Sequence, residues 1–346
     1  MTVKFPEGLN NFYIEPEATP GTGETVAAGD IRYAENISAD HKKTILTRTG
    51  AAPVWRGFKG IVGVGSYPLS YDTEIGPVTV EDANSRPICH PHLIACGFAL
   101  TSSVAGDPKY LFYTRKTSNH GSATAEVHQG DETRAKYWNW RFVGFRADWT
   151  LDLPASEKHL LSLDGNAASG TKTLVGSALA LPDYSVGVEP TPAIGVNNYI
   201  AITVVDTDAV YAGCVHSGSI AGNMGLTEVN TPECREVELR PDGGVTWTLT
   251  VEEVDDFNWY ALRDAAAGLF VVWANADGNF TGTAPAATGD YVLYTGTFQI
   301  TDIAPSADLR LNCLDVTLQE IWPDASDDGG LQPADGFQII FVTKGA

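Results

Sequence analysis

One pattern of residues occurs twice in this chain, and the repeat restricts the possible folds more than any other feature. The stronger copy is residues 245–269, VTWTLTVEEVDDFNWYALRDAAAGL. Its first eight residues alternate between apolar and polar side chains, which is the period of a half-buried β-strand. Asp255 and Asp256 then offer helix-capping carboxylates, and Gly268 offers a helix stop. The copy predicts a strand, a corner and a helix of about three turns.

The weaker copy lies in the first half of the chain. Residues 66–72 alternate in the same way, with Leu69 aligned to Leu249, and a short apolar helix predicted at 91–96 stops at Gly97. Short alternating strands are common, so the flanking elements decide whether the match is a duplication. Both halves continue into a long strand, a turn containing Pro and Ser, and a returning strand. This shared order favours duplication.

The repeat predicts a mostly β fold with two tandem domains, each with one short flanking helix. Residues 1–180 are expected to hold an N-terminal arm, the first β domain and a linker, and residues 181–346 the second β domain. The long strands are predicted at 138–153 and 291–301. Gly, Ala and Pro are frequent over 167–197, which indicates the linker.

Two segments are expected to contact neighbouring copies of the chain rather than their own core. They are the Pro- and Gly-punctuated arm, residues 1–30, and the connection 50–61. The aromatic side chains expected to anchor these contacts are Phe5, Phe12, Tyr13, Trp55 and Phe58.

The charge of the chain is acidic and unevenly distributed. The formal net charge of the 346 residues is −21, of which −2 falls in residues 1–180 and −19 in residues 181–346. Tight binding to a nucleic-acid backbone needs a basic surface, so this charge argues against a tight DNA or RNA binder. Solubility, or adaptation to a salty habitat, is the competing explanation of the acidity.

Cysteine usage and the chain start favour a protein made in the cytoplasm. The five Cys are an odd number and contain no CxxC pair, which favours reduced thiols. The first residues, MTVKFPEGLNN, lack a basic region followed by an apolar core, so no secretory signal is predicted. No run of about 18 apolar residues predicts a membrane span.

Four groups of residues are candidates for a chemical site. The most metal-like is Cys89, His90, His92 and Cys96, but no second ligand pair follows at zinc-finger spacing. The other three groups are Cys214 with His216; Asp324, Asp327 and Asp328 in an acidic loop that could hold a cation; and the carboxylates Glu252, Glu253, Asp255 and Asp256.

Each of the four groups has a simpler structural explanation. They suit a helix start, a strand, a solvated loop, and a strand end followed by a helix cap. No nucleophile elbow, phosphate-binding loop or HExxH motif is present. The sequence therefore predicts no catalytic, cofactor-binding or metal-binding residue, and no enzyme.

Several segments together resemble the tail tube (major tail) proteins of long, non-contractile-tailed bacteriophages, which are siphovirus-like. The segments are NNFYIEPEATPGTGETV, IRYAENISADHKKTILTR, YPLSYDTEIG leading to HPHLIACGFALT, and CVHSGSIAGNMGLTE with the strand–helix unit after it. The likeness covers the chain broadly, as diffuse patterns rather than a signature. It implies small β-sandwich or barrel domains with one flanking helix. The strong charge difference between the halves departs from close equivalence of the two domains.

The resemblance also implies a structural function in the virion. Rings would stack into a tube that conducts double-stranded DNA during genome ejection, without binding it tightly. A tandem two-domain chain would form trimers that imitate a hexamer. Expected partners are other copies, the tape measure, tail tip and terminator proteins, and no membrane.

The alternative is a binding module. It would be a baseplate or decoration protein, or a carbohydrate-binding β-sandwich with the aromatic strand 138–149 as a sugar platform.

A tube that conducts DNA is expected to have an acidic bore. A basic lumen would hold the duplex, whereas carboxylates keep it mobile. The second half, with its larger acidic excess, is expected to contribute more of this charge. The candidate bore residues are Glu252, Asp40 and Asp72.

Overall fold

The computed structural model describes most of the chain. The described residues are 10–46, 61–77, 86–104, 108–116, 118–131, 133–154, 158–179, 198–230, 235–240, 244–276, 289–306, 312–321 and 336–343. Within them lie twenty-one strands, one 3₁₀ turn (Ala28–Asp30) and two short helices, α1 (His90–Ala95) and α2 (Trp259–Asp264). The expectation of a mostly β fold with two short helices is confirmed.

The strands of the first half are β1 (Asn10–Pro16), β2 (Ile31–Arg32), β3 (Glu35–Ala39), β4 (Lys42–Leu46), β5 (Ile61–Ser66), β6 (Pro68–Glu74), β7 (Phe98–Val104), β8 (Lys109–Arg115), β9 (Ala123–Gly130), β10 (Tyr137–Pro154), β11 (Leu160–Asn166) and β12 (Ser169–Val175). Those of the second half are β13 (Asn198–Val204), β14 (Val215–Ala221), β15 (Leu226–Asn230), β16 (Arg235–Leu239), β17 (Thr246–Glu252), β18 (Gly268–Ala276), β19 (Tyr291–Ser306), β20 (Cys313–Glu320) and β21 (Gln338–Thr343).

The strand pairings of the first half recur in the second half. β1 pairs with β9 as β13 pairs with β18, and β9 pairs with β10 as β18 pairs with β19. β10 pairs with β11 and β12 as β19 pairs with β20 and β21. β6 lies between β3 and β11 as β17 lies between β14 and β20. The hairpins β4–β5 and β15–β16 occupy the same place in the two series. All of these ladders are antiparallel.

One element breaks the repeat. The hairpin β7–β8 follows α1, whereas α2 leads directly into β18. Six of the seven residues of β8 pair with β21, the last described strand. The first half therefore contributes a hairpin to the sheet of the second half, and this ladder holds the two halves together.

A second ladder also joins the halves, through the long strand β10. The first part of β10 pairs with β9 on one edge, and its outer part, residues 150–154, pairs with β14. The opposite edge of β10 is occupied by β11 and then by β12. β10 is therefore the strand through which the sheet passes from one half to the other.

The core lies on one face of these sheets. Alternation puts every second residue of β6, β17, most of β20 and the second part of β10 inside, where burial of apolar surface stabilises the fold. Among the largest fully buried side chains are Trp247, Trp273, Tyr71, Phe145 and Phe298. The buried residues of both halves belong to one main cluster.

The predicted N-terminal arm is wrong over residues 10–16, which form β1 and pair with β9. Phe12 and Tyr13 are 2% and 7% exposed, so they are core residues of their own chain. The buried carboxylate of Glu17 accepts hydrogen bonds from Ser122, Thr124 and the backbone N–H of Gly144, which fixes the chain after β1. Phe5, Trp55, Phe58 and the connection 50–60 lie outside the described residues.

Two other expectations need correction. α2 has six residues rather than three turns, because Ala266 adopts a left-handed φ of 53° before Gly268 is reached. Asn258 caps it, accepting from the N–H of Ala261 at 3.0 Å, so Asp255 and Asp256 do not. The predicted linker begins too early, because its residues 169–175 form β12 on the edge of β10; residues 180–197 lie outside the described part.

Candidate functional site: a polar face of the sheet

The clearest candidate surface is the side of the sheet opposite the core, here called the polar face. In the outer part of β10, Trp149, Leu151 and Leu153 are buried, so the alternating Asp148 and Asp152 point away from the core. The neighbouring strands β6, β11, β17 and β20 alternate in the same way. The ladder registers place residues of β14 and of the end of β19 on the same face. Eight carboxylates of these strands therefore lie on the polar face. Glu74, at the end of β6, is paired with Lys158. The other seven are Asp72, Asp148, Asp152, Asp164, Glu252, Asp302 and Asp315.

The ladder registers arrange these side chains in rows that cross both halves. Directly opposed residues in an antiparallel ladder share a face. One row runs across five strands through Asp152, Ser219, Thr248, Thr317 and Asp302. A second joins Ser70, Asp164 and Asp148 in the first half. The rows contain Asp, Ser and Thr, so the face combines carboxylates with hydroxyl groups.

Neutral donors, rather than cations, contact these carboxylates. Ser219 Oγ donates to Asp152 at 3.1 Å, and Thr250 Oγ1 donates to Asp315 at 2.8 Å. Asn36 Nδ2 donates to Asp72 at 2.6 Å. Among the described residues no Lys or Arg forms an ion pair with any of the seven carboxylates. Their negative charge is therefore not compensated locally.

Two cations lie at the ends of the polar face, and each is already engaged. Lys158 Nζ is 2.8 Å from both Glu35 and Glu74. Arg146 donates to the backbone carbonyls of His120, Gly121 and Val237 beneath the β15–β16 hairpin. The described rows between these two ends contain neither Lys nor Arg.

This arrangement suits repulsion of an anionic polymer. DNA carries one negative charge per ~1.7 Å of helix axis. Repulsion between exposed like charges extends over roughly a Debye length, ~8 Å at physiological salt. Hydroxyl groups between the carboxylates keep the face hydrated without giving a phosphate a charged partner. The polar face can therefore lie beside a nucleic acid without holding it.

The structure places the expected bore residues in two groups. Asp72 and Glu252 lie on the polar face, at an inner position of β6 and at the end of β17. Asp40 follows the end of β3 and is paired with Lys42 at 4.0 Å. The sequence reasoning missed Asp148, Asp152, Asp164, Asp302 and Asp315. The alternation in DWTLDL (148–153) was the available signal for two of them.

The suggested zinc group has other partners. His90 Nδ1 is 2.8 Å from the Tyr113 hydroxyl, and His92 Nδ1 is 2.9 Å from the Tyr71 hydroxyl. Burial lowers the pKa of His92 to about 3 and raises the pKa of the Cys89 thiol to about 12, so both are neutral. Among the described residues no cluster of three or more His, Cys, Asp or Glu is arranged to hold a metal ion. These contacts fix α1 in the core.

The other weighed groups show no catalytic arrangement in the described residues. Cys214 is exposed, and its backbone N–H is 3.4 Å from the Glu252 carboxylate. His216 lies on β14 next to the polar face. Glu252 ends β17, and Glu253 donates its backbone N–H to the Asn312 carbonyl. The acidic loop containing Asp324, Asp327 and Asp328 lies outside the described residues.

The aromatic strand is a poor sugar platform. Phe142, Phe145 and Trp149 are buried in the core. Trp138 and Trp140 are partly exposed, but the Lys172 ammonium lies 4.9 Å and 3.6 Å from their ring centres. This cation–π contact covers the ring faces that a sugar would need.

The comparisons with known proteins identify no relative. No protein-family model matches the chain, and a search of curated proteins found no match. In the part of the chain that the structure describes, no helix has the length and apolar character needed to cross a membrane.

Proposed function

We propose that this chain is a structural virion protein, the tail tube subunit of a long, non-contractile-tailed bacteriophage. Copies made in the host cytoplasm form rings, and the rings stack into a tube that conducts double-stranded DNA during ejection. It has no catalytic function in this proposal. Its other partners are the tape measure, tail tip and terminator proteins.

The observation that carries the proposal is the polar face. It runs through ladders of both halves and carries seven carboxylates that have no ion-pair partner among the described residues, whereas Arg146 and Lys158 lie at its ends. A surface that only had to be soluble would more usually mix both signs of charge. In the proposed tube this face lines the bore, where uncompensated carboxylates keep DNA from adhering.

The repeated strand pairing supports a ring built from pseudo-equivalent units. The recurrence of the ladders is what two tandem copies of one β domain would give, divided near residue 180. Three such chains would form a ring of six pseudo-equivalent domains. Pairing between neighbours would also remove the exposed sheet edges that otherwise promote aggregation.

Electron microscopy of the purified protein in negative stain tests this function. The proposal expects hollow tubes of uniform width, formed by the protein alone or with a tail-tip template. Discrete oligomers under every condition would favour the alternative of a baseplate, decoration or carbohydrate-binding module.

A further inference from the structure

The ladder between β10 and β14 is a template for a contact with a second copy. It places Leu151 opposite Ile220 and Asp152 opposite Ser219. Beside it His159, at the start of β11, lies against the second half, with its ring centre 6.1 Å from Trp273 and 5.8 Å from Tyr294. The first half thus offers the edge of β10 and the His159 side chain, and the second half offers the edge of β14 and the place beside Trp273 and Tyr294.

Both sides of this contact occur a second time, and there neither side has a strand partner among the described residues. In the repeated pairing β3 corresponds to β14, and the end of β19 corresponds to the outer part of β10. Within the described ranges, no strand pairs with the edge of β3 opposite β6. Likewise no described strand pairs with β19 beyond Gln299 on the edge opposite β20. The chain therefore has two open and complementary edges.

A groove lies beside the open edge of β3. Its volume is about 640 Å³, and it is lined by β3 together with Asn10, Val127, Gln129 and Trp140. The corresponding place beside β14 is filled by His159.

The ladder registers match this lining to the surroundings of His159. Val127 pairs with Trp140 as Trp273 pairs with Tyr294. Tyr294, beneath His159, is 0% exposed, whereas Trp140 remains partly exposed.

The two helices also differ in burial, and here the element of the second half is the more exposed one. Five of the six α1 residues are buried, whereas Trp259 alone is buried in α2. The β15–β16 hairpin and the chain before it cover the α1 side: a Cβ on Gly97, just after α1, would lie 2.5 Å from Met224 and 3.0 Å from Leu239. The counterpart of that hairpin, β4–β5, belongs to the first half. In a neighbouring copy it would reach α2.

We propose that β3 of one copy adds as an antiparallel strand to the end of β19 of the next copy. Asn312, just before β20, then lies beside Trp140 in the groove, in the place that His159 takes in the template. This contact would join the subunits of the tube in the proposed function. The reason for proposing it is the repeated strand pairing, which does not depend on that function. A head-to-tail contact of this kind forms a ring when its rotation closes after a whole number of copies.

The repeat also gives the register. β6 and β17 have the same length and bury the same alternate positions, so they can be aligned end to end. This places Leu69 with Trp247, so the alignment of Leu69 with Leu249 expected from the sequence is wrong by two residues. Ser38 then corresponds to Ser219, through their partners Ser70 and Thr248. In the same alignment Ser306 corresponds to Asp152, through the ladders of β20 and β11. Because Ser219 lies opposite Asp152, the proposed contact places Ser38 opposite Ser306 of the next copy.

Cysteine cross-linking tests this register. The test protein carries Ser38→Cys and Ser306→Cys, with Cys214, Cys234 and Cys313 replaced by Ser, because Cys313 lies directly opposite Ser306 in the same chain. After mild oxidation, non-reducing gels should show a series of covalent oligomers that ends at the ring size. A mixture of the two single variants should stop at dimers. Monomer alone would overturn the proposal.

Two matched pairs control the cross-link. Asp152→Cys with Ser219→Cys, in the template ladder, should form a bond within one chain. Thr173→Cys with Ser306→Cys uses the exposed strand β12 instead of β3 and should give no oligomer series. Equal cross-linking of this pair would also overturn the proposal, because it would show random collision.

A proline variant tests the same edge without cysteines. Asp40 donates its backbone N–H to Pro68 in β6, so the N–H of Ala39 points to the open edge. Ala39→Pro removes that outward donor and leaves the β6 ladder intact. The variant should keep its circular dichroism spectrum and thermal unfolding but lose self-association. Undiminished association would contradict the strand addition.

These outcomes separate the contact from the tube function. Cross-linked rings that never stack into tubes would support the contact and reject the tube. Tubes that form normally from Ala39→Pro would leave the tube function standing and reject the contact.

Discussion

At the scale of single residues, His159 is the most unusual side chain in the described core. It is 1% exposed, and neither ring nitrogen has a hydrogen-bond partner. Burial lowers its pKa from 6.5 to about 3. The folded protein therefore keeps His159 neutral, whereas the unfolded chain protonates it near pH 6.5. Stability is at its full value above pH 6.5 and falls as the pH drops from 6.5 toward 3.

We predict that His159→Leu makes the fold less sensitive to acid. Leucine has no proton to bind, so the variant should avoid a loss of about 1.4 kcal/mol per pH unit below pH 6.5. Urea unfolding at pH 7 and pH 4.5 measures the difference. Equal losses of stability in variant and parent between these pH values would show that His159 is not the buried neutral group described here.

At the scale of elements, β14 lies closer to its neighbours than a side chain on Gly218 would permit. A Cβ on Gly218 would lie 2.7 Å from Trp273 and 3.1 Å from both Leu249 and Trp247. Glycine there lets the strand that joins the two halves approach the aromatic core of the second half.

We predict that Gly218→Val destabilises the fold by about 1–3 kcal/mol, because the added methyl groups must displace Trp273. Ser219→Thr, one residue along on the polar face, is the matched control and should change the unfolding free energy by less than about 0.5 kcal/mol. Chemical denaturation of both variants measures the effect. Similar values for the two would contradict the close approach of β14.

The elements were predictable from the sequence where alternation was strong. β6, β17 and the second part of β10 follow the polar–apolar period, β21 contains a continuous run of strand-forming apolar residues, and both helices occur near the expected glycines. β1 was misjudged because Pro16, Pro20 and two glycines around it indicated a loop. β12 was predicted as part of the linker because its polar residues show no apolar alternation. The strand is exposed, so it has no buried face to produce that pattern. Composition cannot show which edge a polar segment will join.

The polar face was only partly predictable. Alternation assigns Asp72 and Glu252 to an outward side, but it does not show that strands from both halves form one surface. That surface depends on the ladder between β10 and β14, whose partners are about seventy residues apart. Such a pairing leaves no local signal in the sequence.

At the scale of the whole molecule, the charge of the polar face should control the passage of DNA. We predict that Thr248→Lys with Thr317→Lys slows genome ejection while tubes still assemble. Both residues lie in the row that crosses five strands of the polar face. The slowing should be greatest at low salt and should fade as the Debye length shortens to ~3 Å at 1 M. Ejection rates from assembled virions across ionic strengths measure it.

Thr171→Lys with Thr173→Lys adds the same charge to the exposed strand β12 and serves as the control for this pair. It should leave ejection unchanged. Equal slowing by both variants, or by neither, would support the explanation that the acidity serves solubility.

The most direct test of the central claim is a cryo-electron microscopy reconstruction of the assembled protein. The account predicts rings of three chains with six pseudo-equivalent units. The polar face, with Asp152 and Thr248, should line the bore, and β3 should pair with β19 between copies. A reconstruction with the polar face on the outer wall, or with six chains in each ring, would contradict it.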